Sequence, residues 1–353
     1  MLIYFLNLIL IMFWAMVLLH RDSKVNKITF LILCGLQLVL IGGLRGGSVG
    51  TDTSSYIEIY NIFYHDDFVI HVGNEIGFVA LMRFLRFFNL DAQWVLVATT
   101  LMFVLLMLKG IYHFSTNVWF SVFLLMTFAF YNLSIHLVRQ FLTIAIFFYG
   151  YKYILNKNFI KYILAMLVAF SIHNSAILFL PLYLFALFNY DRRAMLKFFV
   201  ILSIFLFNFY FIFGLIVTFF PRYLVYLDQE SMFRFTGASY IAISMSALLL
   251  GIVVIFKTKN NKMLNLEFTM ILFSLILTII AANGFFNLLR FAFYFQIFSI
   301  IFIPRCISLI NNAKIRTISY LFVALTSIAF YTFTLSTGAG VGGTVPYVFF
   351  FNE

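Results

Sequence analysis

Long apolar runs separated by short polar stretches make up most of this 353-residue chain. A helix needs about 20 mostly apolar residues to cross a bilayer, and the pattern predicts about twelve such helices. The predicted spans lie at residues 2–19, 28–44, 92–112, 117–133, 136–155, 159–172, 175–189, 195–219, 238–256, 266–283, 285–303 and 318–335. The stretch 75–90 is shorter and carries Arg83 and Arg86 three residues apart, on one face of a helix. We expect it to form a re-entrant or interfacial helix on the outer side.

Composition places the whole chain in or beside lipid. Hydrophobic residues make up 64% and charged residues 10% of the sequence, and the mean hydropathy is +1.06. A soluble domain would be roughly half apolar and a quarter charged. We therefore expect an all-α polytopic membrane protein, with a single integral membrane domain over residues 1–353. Cys34 and Cys306 lie in or next to different apolar runs, which indicates neither a disulfide framework nor a zinc site.

The positions of the basic residues predict the topology. If the loop after the first span is cytoplasmic, all eleven lysines and five of the arginines fall in cytoplasmic loops, as the positive-inside rule requires. Both termini are then outside, with outer loops at 45–91 and 220–237 and an outer tail at 336–353. Because the charges are spread over the loops between spans, the net charge of +11 does not indicate nucleic-acid binding.

The cations left on the outer side are all arginines. They are Arg45, Arg83, Arg86, Arg139, Arg222, Arg234 and Arg290. Arginine presents a planar fork that binds phosphate or carboxylate through two hydrogen bonds, whereas lysine is a hydrated point charge. This selection favours an anionic substrate group at the outer surface.

Two of these arginines open spans at similar depth and suit a diphosphate. Arg139, beside Gln140, begins the span at 136–155, and Arg290 lies at the outer end of its own span. The alternative for Arg139 is an arginine that only reaches the lipid headgroups. Arg45 and Arg222 are predicted to support the same diphosphate.

Three residues are candidates for a general base that takes a proton from an attacking hydroxyl group. We rank Asp52 first, then Glu75, then His173. Each has a structural alternative: Asp52 as a helix N-cap, Glu75 as the ion-pair partner of an arginine, and His173 as a capped turn between two apolar runs. His173 could also bind phosphate or titrate near neutral pH.

Tyrosines stand beside carboxylates in the outer loops, an arrangement typical of sugar-binding surfaces. Tyr56 and Tyr60 lie four residues apart in the first outer loop, and Tyr223 lies in the second. Asn174 follows His173 and could serve the same purpose. An interfacial aromatic belt is the alternative explanation for the tyrosines.

Several stretches together resemble the EpsG family of Wzy-type polysaccharide polymerases. They are LRGGSVGTDTSSY (44–56), GNEIGF (73–78), LVRQFLTIAIFFYGYKYI (137–154), AFSIHNSAILFLPLY (169–183), NLLRFAFYFQIFSIIFIP (287–304) and PYVFFFN (346–352). The resemblance implies a metal-independent glycosyltransferase with a GT-C-like fold, no cofactor, and an active site on the periplasmic or outer face of the bacterial inner membrane. Its donor would be a growing O-antigen, capsule or exopolysaccharide chain on undecaprenyl diphosphate, and its acceptor one repeat unit on the same lipid. A chain-length regulator and a flippase would be partners.

Two other functions remain open from the sequence. One is a lipid-linked oligosaccharide flippase or other transporter, which should show internal repeats and charges near mid-span; the sequence shows neither. The other is a membrane glycan ligase or acyltransferase, which would share His173 and the arginines. Neighbouring genes would discriminate, since a polysaccharide cluster with a flippase and glycosyltransferases but no other polymerase favours polymerisation.

Overall fold

The computed structural model describes residues 1–21, 23–62, 75–187, 234–258, 261–282, 287–338 and 341–353, with isolated positions between 191 and 200. The described residues are overwhelmingly helical, and no strand occurs among them. The chain divides into two compact units. Unit one comprises Met1–Pro181 and Leu321–Glu353, and unit two comprises Leu182–Tyr320.

The described residues of unit one form nine α-helices and the end of a tenth. They are α1 (Leu2–Leu18), α2 (Lys24–Gly43), α3 (Thr53–Ile62), α4 (Ile76–Phe87), α5 (Gln93–Phe114), α6 (Val118–Thr127), α7 (Phe130–His136), α8 (Val138–Leu155) and α9 (Phe159–Ile172). A 3₁₀ helix, Asn174–Tyr183, follows and leads into α10 (Leu184–Leu187). The described helices beyond are α11 (Arg234–Lys257), α12 (Lys262–Ala282), α13 (Asn287–Gln296), α14 (Ser299–Ser308) and α15 (Ala313–Thr337), the last of which ends in unit one.

Six helical segments among the described residues are long and apolar enough to cross a membrane, or seven if the bent pair α6–α7 forms one span. The predicted count of about twelve is therefore not confirmed, and neither is the GT-C-like fold. Three shorter apolar helices, Leu2–Leu18, Phe159–Ile172 and Asn174–Tyr183, fall on predicted spans. Most of the span expected at 195–219 lies outside the described residues.

Some predicted spans are not continuous α-helices. In one of them the sequence shows the cause of the break, and in another it does not. The 3₁₀ helix at Asn174–Tyr183 contains Pro181, which has no N–H for the helical ladder. The break between α6 and α7 bends the chain by 53° at Ala129, whose φ of 59° is left-handed. No glycine or proline marks that position, so the apolar run appears continuous.

The core of unit one forms where α5 packs between α2 and α8. Glycines permit the close approach, since a Cβ on Gly42 would lie 2.6 Å from Thr100 Cγ2 and one on Gly110 would lie 2.6 Å from the Phe148 ring. Gly42 thus makes a close contact with α5, while Gly46 lies against the Glu353 side chain.

The carboxyl-terminal tail binds the loop that follows α2. Arg45 and Phe349 form an antiparallel bridge, and Thr51 N donates to Gly342 O at 2.8 Å. The Glu353 carboxylate accepts from Gly47 N at 2.7 Å and Ser48 N at 2.9 Å. The Ser48 hydroxyl also donates to this carboxylate, and this hydrogen bond, together with those from Ser48 N and Gly47 N, lowers the pKa of Glu353. The tail therefore holds the segment that leads to Asp52 and α3.

Unit two contains a buried ion pair between Arg305 and Glu267, although the sequence predicts that Arg305 lies in a loop. Arg305, which the topology places in a cytoplasmic loop, lies inside α14 with its guanidinium buried. Its Nε donates to Glu267 Oε2 at 2.7 Å and its Nη2 to Glu267 Oε1 at 2.9 Å. The bidentate pairing with a carboxylate on α12 explains why this arginine is buried rather than solvated.

Candidate functional site

Two helix ends meet at the centre of the candidate site in unit one. Glu75 directly precedes α4, and His173 directly follows α9. The two helices approach closely because Gly77 lies against Ser171; a Cβ on Gly77 would come within 2.2 Å of Ser171 Oγ. A glycine in the first turn of α4 therefore brings the Glu75 carboxylate to the end of α9.

The Glu75 carboxylate accepts hydrogen bonds on both oxygens. Oε1 lies 2.7 Å from His173 Nδ1 and accepts from Asn174 N at 3.3 Å, and Oε2 accepts from Arg139 Nη1. The Glu75 side chain is 6% exposed, whereas those of Arg139 and His173 are 27% and 28% exposed. The carboxylate thus lies beneath two partners that still reach the surface of the site.

The pKa of Glu75 lies below its ordinary value of 4.5. Burial acts to raise this pKa, but the hydrogen bond from His173 and the charge of Arg139 outweigh burial. Glu75 is therefore ionised at neutral pH, and all its near contacts are donors. This arrangement suits an orienting anion better than a proton acceptor.

Arg139 is fixed by aromatic rings as well as by Glu75. Its Nε donates to Tyr56 OH at 3.2 Å, and its guanidinium lies 5.5 Å from the centre of the Tyr56 ring and 5.7 Å from that of Phe78. A guanidinium has five N–H donors. Two are used here, so the remaining N–H groups can bind an anion on the exposed side.

His173 is held in one tautomer. A carboxylate only accepts, so the Nδ1 that lies 2.7 Å from Glu75 carries the proton. In the neutral ring, Nε2 then has a free lone pair and can take a proton. The geometry is that of a base whose orientation is set by a buried carboxylate.

Asp52 lies in a second cluster, which includes a histidine that sequence reasoning missed. Thr51 Oγ1 lies 2.6 Å from His136 Nδ1 and donates to Asp52 Oδ1 at 3.3 Å. Asp52 Oδ1 is 3.9 Å from His136 Nδ1, and its side chain is 40% exposed. The carboxylate does not cap α3 through its side chain. The first turn of α3 joins the two clusters. Asp52 stands four residues before Tyr56, the partner of Arg139, and Tyr56 N donates to Asp52 O at 3.2 Å.

The Arg45 side chain is fully buried in unit one. It donates to Gly42 O, to Ile135 O at 3.4 Å and to Thr53 Oγ1 at 3.4 Å. Burial lowers its pKa to about 10. These contacts connect the loop after α2 to the residue before His136, which favours a structural role; the predicted diphosphate role has no support here.

The remaining predicted site residues are placed as follows. Tyr60 is buried and donates to Leu90 O at 2.7 Å, with Arg86 over its ring, so it packs beneath α4 rather than facing a sugar. Asn174 contributes its backbone N–H to Glu75 and has an exposed side chain. Gln140 is buried, and Arg290 is exposed in unit two. Arg222 and Tyr223 lie outside the described residues.

Sequence reasoning also missed Phe78 as a partner of Arg139. The sequence does hold a signal for Phe78, because it ends the GNEIGF motif, three residues after Glu75. His136 stands three residues before Arg139, in the same stretch. In the described part of the chain, no group of three or more His, Cys, Asp or Glu residues could hold a metal ion.

Comparison with known proteins identifies a family. The sequence model of the EpsG family matches residues 27–349, which include Glu75, Arg139 and His173. No curated protein and no solved structure matches the chain.

Proposed function

The chain belongs to the EpsG family, whose members are Wzy-like polymerases, and on that premise we propose that it elongates a polysaccharide at the outer face of the bacterial inner membrane. The donor is a glycan on undecaprenyl diphosphate, and the acceptor is one repeat unit on the same lipid. The family match and the apolar helices support a membrane protein of the polysaccharide-polymerase type. The lipid carrier, the topology and the residue roles are our proposal.

The observation that carries this proposal is the shared carboxylate of Glu75. One buried anion fixes a guanidinium, Arg139, and an imidazole, His173, side by side, and both side chains remain about a quarter exposed. A glycosyl transfer from a diphosphate carrier needs these two functions. One group removes the proton from the acceptor hydroxyl, and the other stabilises the negative charge that develops on the leaving diphosphate.

The proposed step is a displacement at the anomeric carbon of the donor. The acceptor hydroxyl oxygen forms the new bond to that carbon as its proton passes to His173 Nε2. The bond from the anomeric carbon to the diphosphate oxygen breaks, and the electron pair leaves with the diphosphate, which binds the open N–H groups of Arg139. The proton on His173 is later released to water. Glu75 stabilises the imidazolium through Nδ1 and is not itself protonated.

This assignment changes the order of the base candidates. Asp52 ranks first from the sequence, but in the structure it lies outside the Glu75 cluster, and Glu75 already accepts three hydrogen bonds. His173 is the one of the three with both an orienting carboxylate and an open nitrogen. We propose that Asp52, with His136 and Thr51, contributes to acceptor binding beside it. Arg290 stays a proposed diphosphate ligand, and a chain-length regulator and a flippase stay proposed partners.

The test is a gene deletion complemented by variants, with the glycan ladder resolved on a gel. We expect Arg139→Ala and Arg290→Ala to abolish long-chain glycan while the protein still inserts in the membrane. Arg83→Ala is the matched control, because Arg83 is exposed on α4 and has no assigned role. A ladder that neither Arg139→Ala nor Arg290→Ala alters would refute the diphosphate clamp, and a deletion without effect on the glycan would refute the polymerase.

A further inference from the structure

An apolar groove runs along the outside of unit one, between α2 and α5. Its volume is about 440 Å³. Leu31, Val104 and Leu108 line it and are buried, and Gly35 keeps it open where a side chain would meet Leu108. Both helices are among those long and apolar enough to span a membrane. An apolar groove between two such helices suits hydrocarbon better than water.

The groove is as long as one leaflet is deep. On α2 it extends from Ile28 to Val39, and on α5 from Leu101 to Tyr112. At 1.5 Å per residue each side is about 16 Å long. The hydrocarbon core is about 30 Å thick, so half of it is about 15 Å. A chain lying in the groove would reach from one membrane surface to the bilayer centre.

The groove ends beside a basic pocket. Lys109 and Tyr112 close the groove, and a second cavity of about 290 Å³ is lined by Arg21, Lys27 and Trp119, among others. The two cavities are lined by neighbouring parts of the chain. Lys27 of the pocket precedes Ile28 of the groove, and Thr116 of the pocket follows Tyr112 by four residues.

We propose that these two cavities form one site for an anionic glycerophospholipid. One acyl chain lies in the α2–α5 groove, and the phosphate binds Arg21 and Lys27 in the basic pocket. Trp119 also lines this pocket, and indole rings favour the membrane interface. The one-leaflet length suits an acyl chain better than a long polyprenyl chain. The site is separate from the Glu75 cluster and does not depend on the proposed function.

The first experiment measures the headgroup preference. The full chain carrying Trp14→Phe and Trp94→Phe retains Trp119 as its one tryptophan, since the sequence has three. In vesicles of mixed composition, brominated phosphatidylglycerol should quench Trp119 more strongly than brominated phosphatidylcholine at the same mole fraction. Each surface cation contributes about fivefold to anionic lipid binding. Arg21→Gln with Lys27→Gln should therefore lower the preference by at least about fivefold, whereas Lys314→Gln with Arg316→Gln should not.

Native mass spectrometry of the unsubstituted protein provides a second measurement. The detergent-solubilised protein should retain added phosphatidylglycerol over phosphatidylcholine, and Gly35→Leu should reduce the retained lipid more than Gly35→Ala does. Equal binding of the two lipids, or a preference that survives Arg21→Gln with Lys27→Gln, would overturn the headgroup site. Undiminished phosphatidylglycerol in a folded Gly35→Leu variant would overturn the acyl groove.

Discussion

Replacing Glu75 by glutamine changes one charge in the candidate site and almost none of its volume. Glu75 presents acceptors on both sides, to His173 and Asn174 on Oε1 and to Arg139 on Oε2. Glutamine has one acceptor oxygen and one NH₂ donor. The NH₂ group must therefore point at one of these donors. Arg139 is always charged, but His173 can change its tautomer, so we expect the amide to face His173.

The consequence is that the proton of His173 moves to the wrong nitrogen. With the amide donating to Nδ1, the neutral ring carries its proton on Nε2 and can no longer accept one from a substrate. General-base catalysis contributes about 10²–10⁴-fold to a rate, and this sets the expected loss of polymerase activity. Hydrogen bonds to charged groups contribute about 1.5–3 kcal/mol each. Since one or two of them weaken, the variant should also lose about 2–4 kcal/mol of stability.

The assay is the glycan ladder in a deletion strain complemented with each variant, alongside immunoblotting of membrane fractions. Glu58→Gln is the matched control, because Glu58 lies in α3 with an exposed side chain. We expect Glu75→Gln to be present in membranes with the long-chain glycan absent or strongly reduced. A normal ladder for Glu75→Gln would refute the role of Glu75 in orienting His173. Equal loss in Glu58→Gln would show that the assay reports general damage to the outer loop.

The lowered pKa of Glu75 adds a prediction about pH. Folding favours the ionised carboxylate, so its contribution to stability is complete above about pH 4.5, the ordinary value. It is lost as the pH falls through the lower pKa of the folded state. The difference in melting temperature between the purified wild-type protein and Glu75→Gln should therefore shrink as the pH falls below 4.5. A difference that is constant or grows on acidification would contradict the assigned direction.

Two further substitutions test the framework around the site. Gly77→Val should separate α4 from α9, because a Cβ there would meet Ser171. Overpacking costs about 1–3 kcal/mol, so the melting temperature should fall. Gly338→Ala in the tail is the comparison, because a Cβ there has open space around it and costs only backbone strain. Arg45→Met should leave the buried carbonyls of Gly42 and Ile135 without donors at about 1–3 kcal/mol each, reducing the amount of folded protein in membranes. Wild-type stability in either variant would show that these contacts do not hold the site.

The charge pattern and the apolar runs of the sequence were sufficient to predict a helical membrane protein, and the short motifs were sufficient to predict its family. Both kinds of information are local. A run of apolar residues predicts a helix regardless of its neighbours, and the bounds predicted for α9 agree with the structure at 159–172. The predicted helix within 75–90 is present as α4, although its position relative to a membrane stays a prediction.

The pairing of side chains was decided by the tertiary structure. Along the chain, Glu75 is 64 residues from Arg139 and 98 residues from His173. Nothing in the local sequence of any of the three specifies its partner. From the sequence, one alternative for Glu75 is an ion pair with an arginine that the pattern does not identify. In the structure, Gly77 packs against Ser171, and this contact brings the Glu75 carboxylate to His173 as well as to Arg139. Arg45 shows the converse, because an arginine beside a glycine-rich loop looks accessible in sequence, while the returning tail and α5 enclose it. Sequence patterns indicate whether a segment is exposed to water, to lipid or to neither. Which polar groups are buried together depends on contacts between segments that are distant in sequence, and those contacts form only in the folded chain.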